Sequence, residues 1–551
     1  MMDADRTFYN GKIYTMNAPG ETVEAIVVRD GKIAYAGSNQ NALGWKVKEK
    51  VDLGGLTGLP GFIDTHIHVL MDCLYASYAD LGGAQSIDDV INIMKDKDDG
   101  GEGWLYGAGV SFENLVEKRF PHRNELDRIS TERPIHLISH CGHIHMINSK
   151  ALFMTKISNK SEFDDECLEY YDDGEPSGIL METAYGKYLS DISDSSWTEP
   201  AYQAKLLESG LSVYPERGLT TLHAIALMPN TPPTETFGQY YELEKRGKLP
   251  VRVIISPSHD LPWSLDPTTG FGTDMVKLGA KKIFLDGSLG GRTAAVTEPY
   301  ADAPEETGII THTAEELTDL FREAYDEGLE VSVHVIGDAA MECVLDAAEK
   351  VYPVIEGDSP EERLSKTNRR LRIIHAMIIG PGHIERIKRL PIILDVQPAF
   401  LDSDVHIAMA RLGEGRLHSF MPLRSFIDGG VLLTGGSDAP VDPAIPLNGI
   451  QCAVTRRDLH GFPEGGLVAE EAVSVYEAVA MYTKNAAYCS NEEHIKGTIS
   501  AGKFADFILL DRDIFETEAG EISSIKVVKT VLGGETTFQG GSESLEGGGD
   551  I

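Results

Sequence analysis

The run Pro60-Gly61-Phe62-Ile63-Asp64-Thr65-His66-Ile67-His68 places two histidines two positions apart at the end of an apolar stretch. Side chains alternate across a strand, so His66 and His68 project from the same face. A single buried histidine is ordinarily a hydrogen-bonded core residue. Two imidazoles side by side at a strand end are half of a metal site and call for further ligands downstream. Those ligands follow, each at the tip of its own β-like run. Glu330-Val331-Ser332-Val333 ends in His334, Leu371-Arg372-Ile373-Ile374 ends in His375, and Val431 to Ser437 ends in Asp438. Between them lies Lys281-Lys282-Ile283-Phe284-Leu285-Asp286. Polar groups gathered at the C-terminal tips of separate strands are how a (β/α)8 barrel builds its chemistry. Neutral imidazole and carboxylate suit zinc, and also iron, manganese and nickel.

The order His-x-His, Lys, His, His, Asp resembles the amidohydrolase superfamily. The flanking text resembles its amidohydrolase family 3 branch, which includes N-substituted formamide deformylase-like proteins. The matching stretches are PGFIDTHIH, KIFLDGSLGGRTAAV, SVHVIGDAA, RIIHA, GGSDAPVDPAIPLNGIQCAV and KGTISAGKFADFILLDRDIF, and they run from about residue 5 to residue 515. The resemblance implies an α/β fold, a (β/α)8 TIM barrel with a small β-sandwich, and two divalent metal ions, zinc foremost. His66 and His68 would hold the more buried ion with Asp438, and His334 and His375 the more exposed one. Lys282 would carry a carbamate that bridges the two. A lysine is ordinarily a surface cation, but in a site crowded with positive charge its pKa falls, and only the neutral amine reacts with carbon dioxide. Alternation sets Lys282, rather than Lys281, on the face of Phe284 and Asp286.

A metal ion brings the pKa of a bound water towards about 7, which supplies hydroxide at neutral pH. Asp438 would then also act as the catalytic acid–base, taking a proton and returning it to the leaving amine. In Cys141-Gly142-His143-Ile144-His145, His143 matches a family histidine that faces substrate, a catalytic and substrate contact. Glu182 stands where the family carries a glutamate near the site, and Arg292 could clamp an acyl or carboxyl group. Asp286 and Asp338 suit orienting loops or histidines rather than binding metal.

The expected activity is metal-dependent hydrolysis of a non-peptide C–N bond in an amide, formamide or N-acyl compound. A cyclic amide hydrolase or a deaminase on the same scaffold is the rival. Deaminases of the superfamily tend to use one ion and lack the lysine, so Lys282 argues against that reading. A catalytically idle regulatory or binding protein is the alternative of another class, disfavoured by an intact ligand set.

The elements around these residues fit. A chain of 551 residues with 42% hydrophobic content exceeds one ordinary domain. Residues 1–57 and 497–540 hold short strands with turn pairs such as Asp30-Gly31, expected to join as one composite β-sandwich. Residues 58–496 supply nine candidate strands for eight barrel places, with 135–140 or 250–256 left over, and an insertion at about 141–200 reads as a lid. Residues 541–551, rich in Gly, Ser and Glu, read as a disordered tail. No apolar run reaches the roughly 18 residues of a membrane span, and the start lacks a signal-peptide pattern, so a cytoplasmic protein without membrane contact is expected. The six cysteines are scattered, which disfavours a disulfide framework. A formal charge of −37 argues against nucleic acid. It fits either a solvated, salt-tolerant surface, favoured because the acids are spread along the chain, or a site for cationic substrates. The partner is then a small-molecule amide; a homodimer is compatible, though no residue pattern calls for one.

Overall fold

The computed structural model describes residues 4–540, apart from 102, 113, 140, 141, 143, 162–164, 166, 182, 183, 190, 191, 193–198, 227–232, 260–267 and 358. The expected tail at 541–551 lies outside the described residues, as do His143 and Glu182. The chain divides into two compact units, one built mainly of Val69–Gly210 and the other of the remainder.

The larger unit is organised around eight parallel strands. In chain order these are β1 (Phe62–Ile67), β2 (Leu219–Ala226), β3 (Arg252–Pro257), β4 (Lys281–Phe284), β5 (Val331–Val335), β6 (Leu371–His375), β7 (Ile392–Val396) and β8 (Leu432–Gly435). Almost every residue in them is buried, on both faces of the sheet, so apolar residues predominate without a clean alternation of apolar and solvent-facing polar positions. β1, β2 and β3 pair in that order, with Val276–Leu278 beyond β3. β4 to β8 pair consecutively in a second parallel sheet. Past the end of β3, Ser258 bridges Lys282 of β4, and the His259 N–H donates to the Lys282 carbonyl at 2.9 Å. At the other edge, the Asp438 N–H after β8 donates to the His66 carbonyl at 2.8 Å, and the His68 N–H donates to the Ala439 carbonyl at 2.9 Å. Helices occupy the connections. Ala314–Asp326 starts on a Thr313/Glu316 capping box and buries Leu317, Phe321 and Ala324, while Asp338–Val351 buries Met341, Val344, Leu345 and Ala348.

Strands from both chain ends share one six-stranded sheet: Glu535–Gln539, Val527–Leu532, Phe507–Leu510, Thr57–Pro60, Lys12–Tyr14 and Thr22–Val23, in that order. A four-stranded sheet of Lys32–Gly37, Ala25–Arg29, Ala4–Tyr9 and Val47–Asp52 packs on it through Phe8, Ile26, Ile33, Phe507 and Val531. Phe8 meets Phe507 edge-on at 4.9 Å. The Asp30-Gly31 turn has φ of 52° and 74°, the positive pair that a two-residue hairpin requires.

The second unit has its own six-stranded sheet. Its order is Leu168–Tyr170, Pro176–Met181, Ile144–Ile147, Ile135–Ser139, Leu105–Val110 and Ala79–Asp80. Ile87, Val90, Met94, Leu137 and Met146 are among its core residues. The segment 135–140 therefore belongs here, and 250–256 among the eight parallel strands. The unit begins at residue 69, so the expected insertion at about 141–200 is only part of it: Leu105–Val110 and Ile135–Ser139 pair in parallel like barrel strands, and their sequences cannot reveal which sheet they join. Among the described residues no helix is long and apolar enough to cross a membrane.

Candidate metal centre

Parallel strands present their C-terminal tips along one edge: His66, His334 and His375 lie at or next to the ends of β1, β5 and β6 and Asp438 just past β8, while Lys282 is the second residue of β4. His66 Nε2 and His68 Nε2 each lie 3.0 Å from the same atom, Asp438 Oδ1. That oxygen is buried and hydrogen-bonds to neither ring, nor to any other described group. The three donor atoms fall within 4.8 Å of one another, the arrangement of ligands around a shared cation. The His375 ring is 5.5 Å from that of His66, and the His334 ring is 4.4 Å from that of His375.

Lys282 is fully buried, its Nζ without a hydrogen-bond partner among the described residues and 4.7 Å from the Phe284 ring centroid. Lys281, by contrast, pairs with Glu327 at 2.8 Å. Burial pulls the Lys282 ammonium down to about 7, against the opposing pull of Asp438 and Asp395. Burial, followed by the charge of Lys282, brings His334 to about 4 and holds His66 well below the usual range; burial with His334 does the same to His375. Burial would raise Asp438, but His66 and His68 outweigh it and hold the carboxyl well below its ordinary value. Neutral imidazoles beside an ionised carboxylate are the protonation states a metal ion needs.

Neighbouring groups orient the rings. Gln397 donates its amide N–H to the Asp395 carbonyl at 3.1 Å, which turns Oε1 towards His375 Nδ1 at 2.7 Å. His375 Nδ1 must therefore carry the proton, leaving Nε2 with its lone pair. His334 Nε2 lies 3.1 Å from the Gly287 carbonyl, an acceptor only, so Nδ1 is its lone-pair atom. Asp286 accepts backbone N–H groups from Ala295 (3.0 Å), Ile336 (3.0 Å) and Gly337 (2.8 Å), tying together the loops after β4 and β5. Burial raises its carboxyl to about 7. Asp338 accepts the Thr297 N–H at 2.9 Å and so also holds a loop. Asp64 accepts from the His66 and Ser437 N–H groups, each at 3.1 Å, and joins the β1 and β8 tips. A Cβ on Gly436 would stand 2.8 Å from the His66 nitrogen, so only glycine permits this approach. His375 and Asp438 hold φ of 75° and 60°, strained values for non-glycine residues that recur at active sites. Beneath the site, Arg372 and Asp395 form a buried ion pair, with Thr65 donating to Asp395 at 2.5 Å.

Comparison with known proteins places this geometry. Residues 49–538 match the family model described as "Amidohydrolase family". The chain belongs to the amidohydrolase family. It is 33% identical to "Putative amidohydrolase YtcJ" of Bacillus subtilis (strain 168), over 97% of this chain and 99% of that protein. It is 26% identical to "N-substituted formamide deformylase" of Arthrobacter pascens, over 97% and 98% respectively. A crystal structure of an uncharacterized metal-dependent hydrolase from Pyrococcus horikoshii OT3 superposes with a TM-score of 0.76 at 27% identity, covering 94% of this chain and 99% of that one. The activity class of this amidohydrolase is thus metal-dependent hydrolysis of a non-peptide C–N bond.

Of the remaining candidates, Arg292 is committed elsewhere. Its guanidinium pairs with Asp302 at 3.0 Å, and Asp302 is also held by Arg411. Cys73 is buried and forms no disulfide among the described residues. Sequence reasoning passed over Gln397, Asp64 and Phe400, whose ring stacks on His375 at 6.1 Å. Gln397 stands just past the tip of β7, the same position that singled out the histidines, and could have been found that way.

Proposed function

We propose that this amidohydrolase cleaves an open-chain amide, an N-formyl or N-acyl compound, at two divalent metal ions, zinc foremost. In this reading the eight parallel strands close into a barrel, with the ligands at its C-terminal rim. The single observation that carries it is Asp438 Oδ1, 3.0 Å from both His66 Nε2 and His68 Nε2 yet hydrogen-bonded to neither. Leaving such an oxygen buried and unsatisfied is costly without a cation. His66, His68 and Asp438 would hold one ion; His334 and His375 would hold the other. When bound, such ions polarise a carbonyl and acidify water.

The chain's own residues do the rest. Asp438 accepts a proton from the attacking water and delivers it to the nitrogen as the C–N bond breaks, so that amide and water become acid and amine. The protonated Nδ1 of His375, fixed by Gln397, keeps that ring's ligating nitrogen free. A buried lysine at about 7 is about half in the form of the neutral amine at neutral pH, the form that takes up carbon dioxide. A carbamate on Lys282 would supply the anion between two cations, and it favours hydrolysis over one-ion deamination. The deformylase relative supports an N-formyl substrate. Arg292 would have to leave Asp302 to reach an acyl group, so no clamping role is assigned to it.

The test is a screen of N-formyl, N-acyl and cyclic amides with metal-reconstituted enzyme, beside Lys282→Ala. Turnover of open-chain amides, lost in the variant, is expected. Undiminished activity in Lys282→Ala would remove the bridging role, and turnover confined to cyclic amides would reverse the substrate assignment.

A further inference from the structure

We infer that donor groups buried beneath the metal centre, on β2, β3, β4 and β6, form a site for a small anion, bicarbonate, the immediate source of the carbon dioxide that Lys282 takes up. The inference rests on the hydrolytic reading above and concerns how its carbamate is supplied. Strand register sets the groups on one face. Lys282 of β4, Ser332 of β5 and Arg372 of β6 are successive register partners and share a rung of the sheet. Ser258, just past β3, bridges Lys282, and Ser256 two residues earlier faces the same way. Ser256 stands opposite Ile225 of β2, which puts Ile225, His223 and Thr221 on this face as well. Arg372 joins the two sets directly, because its Nη1 donates to His223 Nδ1 at 3.3 Å.

Five of these side chains carry a polar atom that is buried without a hydrogen-bond partner among the described residues. They are Thr221 Oγ1, His223 Nε2, Ser256 Oγ, Lys282 Nζ and Arg372 Nε. Every one of them can donate. The Arg372 contact makes Nδ1 the acceptor of His223 and so leaves the ring proton on Nε2. The five residues are between 0% and 2% exposed, so bulk water does not serve them. Asp395, the carboxylate beside Arg372, is already engaged: Oδ1 by Thr65 at 2.5 Å and Oδ2 by Arg372. Buried donors left unmatched are costly, and a surplus of them, two on basic side chains, selects an anion and offers a cation nothing. Phe284 and His334, the next residues outward on the same face, are partly exposed, so Lys282 is approached from the rim. Bicarbonate brings one negative charge and three oxygens to these donors. Its transfer to the neutral amine balances: the N–C bond forms, the C–OH bond breaks, and the hydroxyl leaves as water with one amine proton.

The experiment reads anion binding apart from hydrolysis. Metal-free protein is titrated calorimetrically with bicarbonate, chloride and methylammonium. The wild type is expected to bind one equivalent of bicarbonate, chloride more weakly, and no methylammonium. Lys282→Met, which cannot form a carbamate, should still bind bicarbonate. His223→Leu should weaken bicarbonate about 10- to 100-fold, the range for a hydrogen bond to a charged group. His223→Gln, whose amide can both accept from Arg372 and donate, should restore most of that loss. Unchanged thermal midpoints without anion report intact folding, and Ser256→Ala, a milder change, should weaken binding about threefold or more. After rapid mixing with 13C-bicarbonate, the carbamate resonance of Lys282 should grow about tenfold more slowly in His223→Leu, while loading from dissolved 13C-labelled carbon dioxide is unchanged. A wild type that binds no anion, as donors satisfied by buried water alone would give, overturns the inference. So does a bicarbonate affinity that His223→Leu and Ser256→Ala leave in place, or chloride binding as tight as that of bicarbonate. Bicarbonate binding that depends on His223, in a protein that turns over no amide, would leave the site standing and sink the hydrolytic reading instead.

Discussion

The two ends of the parallel strands use the same kinds of side chain to opposite effect. At the N-terminal end, charges are matched. Arg370, just before β6, reaches Glu493 at 2.7 Å; Lys281, opening β4, reaches Glu327 at 2.8 Å; and Glu492 takes Lys277 at 2.5 Å. Facing the candidate site instead, Lys282 Nζ and Asp438 Oδ1 are buried without a hydrogen-bond partner among the described residues. Satisfied ion pairs hold a fold together, whereas unsatisfied groups at strand tips await a ligand. Lys281 and Lys282 are adjacent in sequence and fall on opposite sides of this division.

Four substitutions would break or sharpen the contrast. The largest effect belongs to Asp438→Asn, which removes both a ligand and the proton carrier. kcat/KM against a turned-over amide should drop about 10³- to 10⁴-fold with circular dichroism unchanged. Arg370→Ala should do the reverse. Stranding Glu493 should cost about 4 kcal/mol in denaturant unfolding while metal content stays at the wild-type level. Lys282→Met tests the cost of the buried amine in metal-free protein. The folded pKa, about 7, lies below the ordinary 10.5, so the unfolded chain binds more protons between these values. Wild-type stability relative to the variant should therefore rise as pH climbs from about 7 to about 10.5, by on the order of 5 kcal/mol, with the full penalty present below pH 7. A flat difference across that window would mean the amine is not buried as described. The smallest effect is Lys366→Ala, which removes an exposed pair with Glu362 four residues earlier. It should shift unfolding by less than about 0.5 kcal/mol and leave activity alone.

The strands carrying the candidate ligands were legible in the sequence because His66, His334, His375 and Asp438 each follow an apolar run, and period-two alternation separated Lys282, which precedes one, from Lys281. The composite sheet was legible because both chain ends carry short strands and turn pairs. The extent of the second unit was not. Leu105–Val110 and Ile135–Ser139 have the composition of barrel strands, and parallel pairing leaves no local mark of which sheet is joined. Asp64 also escaped, since a carboxylate's importance lies in what it faces, and one-dimensional spacing does not reveal that. Arg292 shows the converse. Its place after a glycine-rich loop suggested a substrate clamp, but Asp302, ten residues on, holds it.

Metal analysis of the purified chain after reconstitution, beside Lys282→Ala and His66→Ala, tests the central claim most directly. The account predicts two equivalents per wild-type chain, at most one in Lys282→Ala, and a marked loss in His66→Ala. No bound metal in the wild type, or the same stoichiometry in all three proteins, would contradict it.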